Sequence, residues 1–194
     1  MGNVLLRFDR DYFLNAVGVK PEDRRTLMNN VYLSLEWAKM DRGSMTEAEA
    51  AESICRRLPQ RLHEQAHLLV DRWDRPILPV PGMAELVRGL KAAGYGIYLL
   101  SNASYRQHEY WPRVPGSEYF DGTLISADVK LVKPCHEIYE LFFSTFSLKP
   151  AECLFIDDSA PNIEAAERAG MPGIVFHGDS DELLLEMRKL GVNI

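Results

Sequence analysis

The chain has 194 residues, of which 46% are hydrophobic and 26% are charged, and its formal net charge is −6. This length and apolar content suit one domain with a sizeable core, or one domain that carries an insertion. The acidic balance and the lack of a Lys/Arg block give no support to a nucleic-acid or anionic-membrane partner. No apolar run approaches the roughly 20 residues that a membrane-spanning helix needs.

The first residues and the cysteines bear on the cellular compartment. The start of the chain lacks the basic stretch, apolar segment and small-residue cleavage site of a secretory signal. The three cysteines, Cys55, Cys135 and Cys153, have unrelated spacings. Such cysteines favour neither a disulfide framework nor a zinc site. We therefore expect a reduced, cytoplasmic protein.

Residues 12–75 carry helical patterns and no evident strand. The stretch "RRTLMNNVYLSLEWAKM" places apolar residues at helical spacing. Thr46 followed by Glu49 is typical of a capping box that opens the next helix, and "RLHEQAHLLVDRW" predicts a third helix. This part of the chain is therefore predicted to be a compact helical segment.

The character of the sequence changes at "PILPVPGM", where the prolines from Pro76 to Pro81 cannot continue a helix and indicate a hinge. After it, short apolar strands are predicted in "GIYLLSN", "YFDGTLISAD", "ECLFIDD" and "PGIVF". Helices are predicted in "GMAELVRGLKAAGY", "PCHEIYELFFSTFSL", "APNIEAAERAG" and "SDELLLEMRKLG". This alternation predicts an α/β fold, a parallel sheet covered by helices on both faces. In such sheets ligands bind at the carboxyl ends of the strands.

Ser101 and Asn102 follow the first of these strands. A hydroxyl group and a backbone N–H at that place can hold an anionic oxygen. The competing interpretation is that the two residues cap a helix, a position that both residue types favour.

Lys133 stands before Pro134, which we expect to start a helix. The proline disfavours helical backbone at the lysine, so the lysine is predicted to lie in the loop. A cation held there suits a phosphate or a carboxylate, although a lone Lys-Pro pair is more commonly a solvated surface feature. Lys130 is a weaker candidate for the same role.

Asp157 and Asp158 follow the apolar strand in "CLFIDDSAPNIEAA". Two adjacent carboxylates repel one another and need a counter-charge, which a hard cation such as Mg²⁺ supplies. Asn162 lies one helical turn beyond Asp158 and is expected to fix that side chain. The competing interpretation is a loop with an aspartate at a helix N-cap.

The order of Ser, Lys-Pro and Asp-Asp at successive strand ends resembles motifs two, three and four of the haloacid dehalogenase-like (HAD) hydrolase superfamily, most of whose members are Mg²⁺-dependent phosphatases. The resemblance implies a three-layer, Rossmann-like core formed by residues 1–11 and 76–194, with a helical cap inserted at residues 12–75. The stretches "LLSNASYRQHEYWP" and "FIDDSAPNIEAAERAG" further resemble the sugar-phosphatase subgroup that includes glucose-1-phosphate phosphatases.

The first motif of that superfamily is an apolar strand ending in a nucleophilic aspartate, and in this subgroup it commonly reads D-x-G-N-V-L. Here "MGNVLL" supplies the later part, so the resemblance expects the nucleophile and its strand immediately before Met1. Asp9 in "VLLRFDRD" is the alternative nucleophile. A central strand ending at Asp9 would bury Arg7, which costs several kcal/mol when the guanidinium is unpaired. We therefore interpret "NVLLRFD" as the approach to the cap.

The resemblance implies an aspartyl-phosphate intermediate that water hydrolyses. It assigns the Mg²⁺ ligands to that nucleophilic aspartate, to Asp157 and Asp158, and to the backbone carbonyl of Gly2. It assigns the contacts with the transferring oxygens to Ser101, the Asn102 N–H and Lys133. The superfamily's usual second aspartate, which protonates the leaving group, aligns with Gly2, so another group or water must serve as the acid.

The cap is expected to close over the substrate and to select it, with Trp37, Lys39 and Arg42 as candidates. Trp37 also fits the core of the cap. The expected substrate is a small phosphorylated metabolite such as a sugar phosphate, and the protein is expected to be a monomer or a homodimer. Two alternatives stay open: a dehalogenase, which needs no Mg²⁺ and so does not explain the aspartate pair, and a non-catalytic binding protein.

Overall fold

The computed structural model describes all 194 residues, and most of the regular structure is helical. The helices, in chain order, are α1 Arg10–Ala16, α2 Arg24–Leu27, α3 Leu35–Asp41, α4 Glu47–Cys55, α5 His63–Asp71, α6 Met83–Ala92, α7 Gln107–Tyr110, α8 Ser126–Val129, α9 His136–Phe146, α10 Ala160–Arg168 and α11 Ser180–Lys189. A π-helical turn, Met28–Tyr32, continues α2. None of these helices combines the length and the hydropathy that crossing a bilayer requires.

The four strands form two separate parallel pairs. β1 Tyr98–Ser101 pairs with β2 Gly122–Ile125, and β3 Phe155–Asp157 pairs with β4 Gly173–Val175. The parallel strands are as the sequence predicts, but the prediction of one continuous sheet is wrong. The two pairs stay apart because no further strand of the chain hydrogen-bonds to both of them.

Helices cover both faces of the strand pairs, because successive side chains of a strand point to opposite faces. Leu99 of β1 belongs to an apolar cluster that includes residues of α6 and α11. Its neighbour Leu100 belongs to a second cluster, which includes residues of α9 and α10. The strands therefore lie between two layers of helices.

A third apolar cluster is formed by α1 to α5 and the segments between them, with all of its buried residues between Phe13 and Val70. The predicted capping box opens α4: the Thr46 hydroxyl accepts a hydrogen bond from the Glu49 N–H at 3.3 Å, and a Glu49 carboxylate oxygen accepts one from the Thr46 N–H at 2.9 Å. We call this helical region the cap. Its limits at residues 12 and 75 stay a prediction.

The two chain segments that lead into and out of the cap run side by side. The Arg7 N–H donates to the Leu78 carbonyl at 2.7 Å, and the Val80 N–H donates to the Leu5 carbonyl at 3.0 Å. Arg7 is exposed, and the residues before it form turns and isolated bridges rather than a strand. The segment therefore leads into the cap, as interpreted from the sequence.

Candidate active site

A cavity of about 270 Å³ lies between the carboxyl ends of β1 and β3 and the cap. Seven residues that the sequence assigns to a site line it: Gly2, Ser101, Asn102, Lys133, Asp157, Asp158 and Asn162. They come from the ends of β1 and β3, the loop after α8, helix α10 and the start of the chain. The cap and the segments that flank it contribute a second group of lining residues: Phe8, Arg10, Trp37, Met40, Asp41, Glu47, Val70 and Trp73.

Lys133 is the buried cation of this cavity, with 4% of its side chain exposed. Its ammonium group donates to Asp157 Oδ2 at 2.5 Å and to the carbonyl of Leu100 at 3.0 Å. The lysine therefore joins the end of β1 to the end of β3, and it is not a solvated surface residue.

The Asn102 side chain holds the backbone of Lys133 by two hydrogen bonds. Asn102 Nδ2 donates to the Lys133 carbonyl at 2.9 Å, and Asn102 Oδ1 accepts from the Lys133 N–H at 2.8 Å. Ser101 is buried beside it and also lines the cavity. The next helix begins only at Gln107 with Arg106 as its N-cap, so Ser101 and Asn102 do not cap a helix.

Two expectations about the lysine loop are wrong. Helix α9 begins at His136 rather than at Pro134, which lies in a turn where the Cys135 N–H donates to the Val132 carbonyl at 2.9 Å. Lys130 does not line the cavity, because its ammonium group donates to the Gly43 carbonyl and to the Tyr105 hydroxyl. Lys130 therefore connects the cap to the loop after β2.

Asp157 is buried at the end of β3, and both of its oxygens are engaged. Oδ1 accepts from the Ser159 N–H at 3.0 Å and from Asn162 Nδ2 at 2.8 Å, and Oδ2 accepts from Lys133. Burial opposes ionisation, but the Lys133 charge and the hydrogen bonds from Lys133 and Asn162 outweigh it and hold the pKa of Asp157 below its usual range. Asp157 is therefore a carboxylate at neutral pH.

The expectation that Asn162 fixes Asp158 is wrong, since Asn162 binds Asp157 instead. Adjacent residues at the end of a strand point to opposite sides. Asp157 points toward the start of α10, where the Ser159 N–H and Asn162 donate to it. Asp158 is exposed, and its Oδ2 accepts from Asn3 Nδ2 at 2.9 Å. Each aspartate therefore has its own amide partner.

The charges around the paired aspartates leave room for a divalent cation. Lys133 is the buried cation at this place, and its ammonium group binds Asp157. Asp158 retains lone pairs without a protein partner, and Mg²⁺ takes one or two carboxylates together with water and substrate oxygens. Asp157 and Asp158 therefore supply oxygen donors of the kind that Mg²⁺ takes, and Gly2 lines the same cavity.

Asp9 is the N-cap residue of α1 and does not line the cavity, although its neighbours Phe8 and Arg10 do. It is exposed, and its Oδ1 accepts a hydrogen bond from the Tyr12 N–H at 2.8 Å, as an N-cap residue does. The residues that line the cavity do not include it. The geometry assigns Asp9 to helix capping rather than to nucleophilic attack.

Several cavity residues have no counterpart in the sequence prediction. Asn3 adopts a left-handed conformation with φ 56° and accepts a hydrogen bond from the Phe8 N–H at 3.0 Å, while its amide holds Asp158. The Gly-Asn pair at the start of the chain is the sequence signal for it, because asparagine tolerates that conformation. Asp41 and Glu47 stand on amphipathic helices and carry no such signal.

The cap candidates divide into two groups. Trp37 lines the cavity and also packs against the apolar cluster of the cap. Lys39 and Arg42 are exposed, and the cavity wall does not include them. Trp37 is therefore the aromatic member of this set that can contact a bound molecule.

Comparisons with known proteins agree with this geometry. A family model for haloacid dehalogenase-like hydrolases matches residues 12–170. Flavin mononucleotide hydrolase 1 of Arabidopsis thaliana is 29% identical over 113 residues, which are 58% of this chain and 46% of that protein. Sesquiterpene phosphatase astK of Aspergillus oryzae is 32% identical over 119 residues, which are 58% of this chain and 57% of that protein. The chain spans about half the length of these curated relatives.

The fold also has close counterparts among solved structures. A HAD family enzyme from Bacteroides thetaiotaomicron, whose wild-type structure was solved with magnesium and inorganic phosphate, superposes with a TM-score of 0.71 at 22% identity, covering 94% of this chain and 95% of that one. A likeness at this identity speaks for the fold alone. The family match covers most of the chain, and the chain belongs to the haloacid dehalogenase-like hydrolase family.

Proposed function

We propose that the protein is a Mg²⁺-dependent phosphatase of small phosphorylated metabolites, with sugar phosphates as the first class to test. The observation that carries the proposal is the ion pair between Lys133 and Asp157 in a cavity shared with Ser101 and Asn102. These groups, from separate strands, offer donors for a phosphoryl group and carboxylates for a cation. The relatives named as a phosphatase and a mononucleotide hydrolase support the same reaction class.

Each residue has one task in the proposed reaction. Ser101, the Asn102 N–H and Lys133 hold the oxygens of the phosphoryl group in place, which places donors where negative charge accumulates. Asp157 and Asp158, with the Gly2 carbonyl, hold Mg²⁺. When bound, Mg²⁺ supplies the positive charge that offsets the crowded carboxylates and phosphoryl oxygens. Asn162 and Asn3 position the two aspartates.

The attacking group of the proposed reaction is an aspartate that forms an aspartyl-phosphate, which water then hydrolyses. The resemblance expects this aspartate immediately before Met1, and this expectation is part of the proposal. The cap closes over the substrate, with the paired linkers around Leu5 and Val80 acting as the hinge. A cytoplasmic location and a monomeric or homodimeric state are further parts of the proposal.

The test measures release of inorganic phosphate from p-nitrophenyl phosphate and from a panel of sugar phosphates, with Mg²⁺ and with excess EDTA. Two versions of the protein are compared with the 194-residue chain: one extended at its N-terminus by an apolar strand ending in aspartate, and one with the same extension ending in asparagine. We expect Mg²⁺-dependent turnover in the aspartate version and none in the asparagine version. Equal rates in the two extended versions would contradict the proposed nucleophile.

Two further measurements on the aspartate version separate the alternatives. A dehalogenase releases halide from a 2-haloacid in the presence of EDTA, whereas a non-catalytic protein binds phosphate with Mg²⁺, measured by calorimetry, and turns nothing over. Either result in the aspartate version would overturn the phosphatase proposal.

A further inference from the structure

We propose that Asp41 of the cap is the acid that gives a proton to the leaving-group oxygen of the phosphoester. This inference rests on the proposed function, since it assigns a group within the same cavity. Gly2 has no side chain that could give a proton, so the acid is either another group of the cavity wall or water. Asp41 belongs to the cap and lines the same cavity as Ser101, Asn102 and Lys133.

The position of Asp41 is fixed against the phosphate-binding loop. The hydroxyl of Ser126 donates to the Asp41 carbonyl at 2.5 Å. The same hydroxyl accepts from the Ala103 N–H at 2.9 Å, and Ala103 directly follows Asn102. A single buried serine therefore connects the end of α3 to the end of the loop that holds the phosphoryl oxygens.

The next residues of the chain tighten this contact. Gly43 packs so closely on the backbone of α8 that a Cβ atom at this position would lie 2.2 Å from the Ala127 carbonyl oxygen. Lys130 donates to the Gly43 carbonyl from the same side. The end of α3 thus docks on the core through its backbone, which holds Asp41 beside the cavity.

The chemistry of Asp41 suits a proton donor. Its carboxyl group has no hydrogen-bond partner within the protein, and burial, assisted by the charge of Glu47, raises the pKa of Asp41 to about 7. Glu47 is held in place by the Ser104 hydroxyl, which donates to it at 2.6 Å. The other titratable groups that line the cavity are the Met1 amino group, Arg10, Tyr110, Lys133, Asp157 and Asp158. A carboxylic acid with a pKa near the working pH is an efficient general acid.

The proposed step balances as follows. The attacking aspartate forms a bond to phosphorus while the bond from phosphorus to the leaving-group oxygen breaks, and the electron pair of that bond stays on the leaving oxygen. The Asp41 proton moves to this oxygen, which leaves as an alcohol, and Asp41 becomes a carboxylate. In the second half of the reaction, water attacks the aspartyl-phosphate and Asp41 takes up a proton from that water. The group returns to its acid form without a co-reactant.

The first test compares two leaving groups in the version extended by a strand ending in aspartate, with and without Asp41→Asn. An alkyl phosphate such as glucose 6-phosphate releases a poor leaving group that needs a proton, whereas p-nitrophenol leaves readily without one. We expect the kcat for the alkyl ester to fall by about 10²- to 10³-fold, the usual range for loss of a general acid. We expect the kcat for p-nitrophenyl phosphate to fall by less than about fivefold for the same reason. Equal losses on both esters would assign Asp41 a structural role and overturn the proposal.

Glu47→Gln is the matched control, because it keeps the Asp41 carboxyl group and removes the charge that helps to keep it protonated. We expect this variant to move the basic limb of the pH profile for the alkyl ester to lower pH. A basic limb that stays in place would count against the assignment.

The second test does not depend on turnover. Carbon-detected NMR of the 194-residue chain, with Asp41→Asn for assignment, follows the Asp41 carboxyl signal as the pH is raised. We expect a midpoint close to 7, and a midpoint near 4, the ordinary value for aspartate, would overturn the proposal. If no version hydrolyses either ester, the proposed function fails and the acid role fails with it. If both esters are hydrolysed and the Asp41 results are negative, only the acid role fails.

Discussion

The cavity has two walls of different origin, one from the parallel strands and one from the helical cap. On the strand wall, Ser101 and Asp157 occupy the ends of β1 and β3, and Lys133 donates to the Leu100 carbonyl of β1 and to Asp157 of β3. On the cap wall, Asp41 and Glu47 stand on helices that also contribute buried residues, such as Met40 and Ile54, to the apolar cluster of the cap. The residues of the strand wall come together because parallel strands end at the same edge. The residues of the cap wall reach the cavity only because the cap helices pack against the core.

This difference shows where function is visible in the sequence. Parallel strands bring their carboxyl ends to one edge of the sheet. The position of a polar residue that follows an apolar strand can therefore be predicted from the sequence. The surroundings of a polar residue on an amphipathic helix cannot be predicted in this way, because they depend on which element packs against that helix. The following predictions test whether the two walls behave differently when single residues are changed.

The largest effect is expected on the strand wall, at Lys133. Replacing Lys133 by Met leaves the buried Asp157 carboxylate without its cation, and we expect the free energy of unfolding to fall by about 3–5 kcal/mol. Urea denaturation measures this loss. The double variant Lys133→Met with Asp157→Asn removes both charges and should recover much of the stability. A loss below about 1 kcal/mol in the single variant would place the pair among exposed ion pairs.

The next effect tests docking of the cap, at Gly43. Gly18 and Gly43 have similar positive φ angles, 70° and 67°, but a Cβ atom at Gly18 would meet no protein atom within 4 Å, so the two glycines form a matched pair. We expect Gly18→Ala to destabilise by about 1 kcal/mol through backbone strain. Gly43→Ala should cost roughly 1–3 kcal/mol more, since its Cβ overlaps the Ala127 carbonyl. Equal melting temperatures for the two variants would show that the cap does not dock here.

A smaller effect is expected outside the cavity, at Asp74, which follows α5 and pairs with two arginines of the core. Its side chain is fully buried and accepts from Arg106 at 2.6 Å and from Arg113. We expect Asp74→Asn to cost roughly 2–3 kcal/mol at pH 7, because two arginines lose a charged partner. Asp71→Asn, three residues earlier, is the control and should change stability by less than about 0.5 kcal/mol.

The same residue gives a pH dependence with a definite sign. Burial opposes ionisation of Asp74, but Arg106 and Arg113 outweigh it, so its pKa lies below the usual range. The folded protein then binds fewer protons than the unfolded chain in acid, and stability is lost as the pH falls below about 4. Denaturation midpoints from pH 7 to pH 3 measure this loss, which should be less steep in Asp74→Asn. Identical slopes would refute the assignment.

The smallest effect is expected at Asp9, outside both walls. Asp9→Ala removes the N-cap of α1 and should cost about 1 kcal/mol. Asp9→Asn keeps the cap, so thermal denaturation and phosphatase activity should both match those of the parent. Loss of activity in Asp9→Asn with unchanged stability would instead identify Asp9 as the nucleophile.

Much of the strand wall could be predicted from the sequence, and less of the cap wall. The strands before Ser101 and Asp157 are apolar runs that end in polar residues, and the capping box at Thr46 is a local pattern that needs no tertiary information. The partner of Asn162 was predicted wrongly, because the start of α10 sets which aspartate faces the helix. Asp41 gave no signal, since its role depends on Ser126, a residue 85 positions away along the chain.

The sequence by itself determined the alternation of helices and parallel strands, the polar residues at the strand ends and the helical character of the cap. Each of these follows from short-range patterns of apolar and polar residues, which act within a few residues of one another. Tertiary structure alone decided that the strands form two pairs, that Lys133 is buried against Asp157, and that Asp41 lines the same cavity as Ser101 and Asn102. These features depend on packing between segments that are far apart in the sequence. This packing buries the ionisable groups, and burial and neighbouring charges then shift their pKa values.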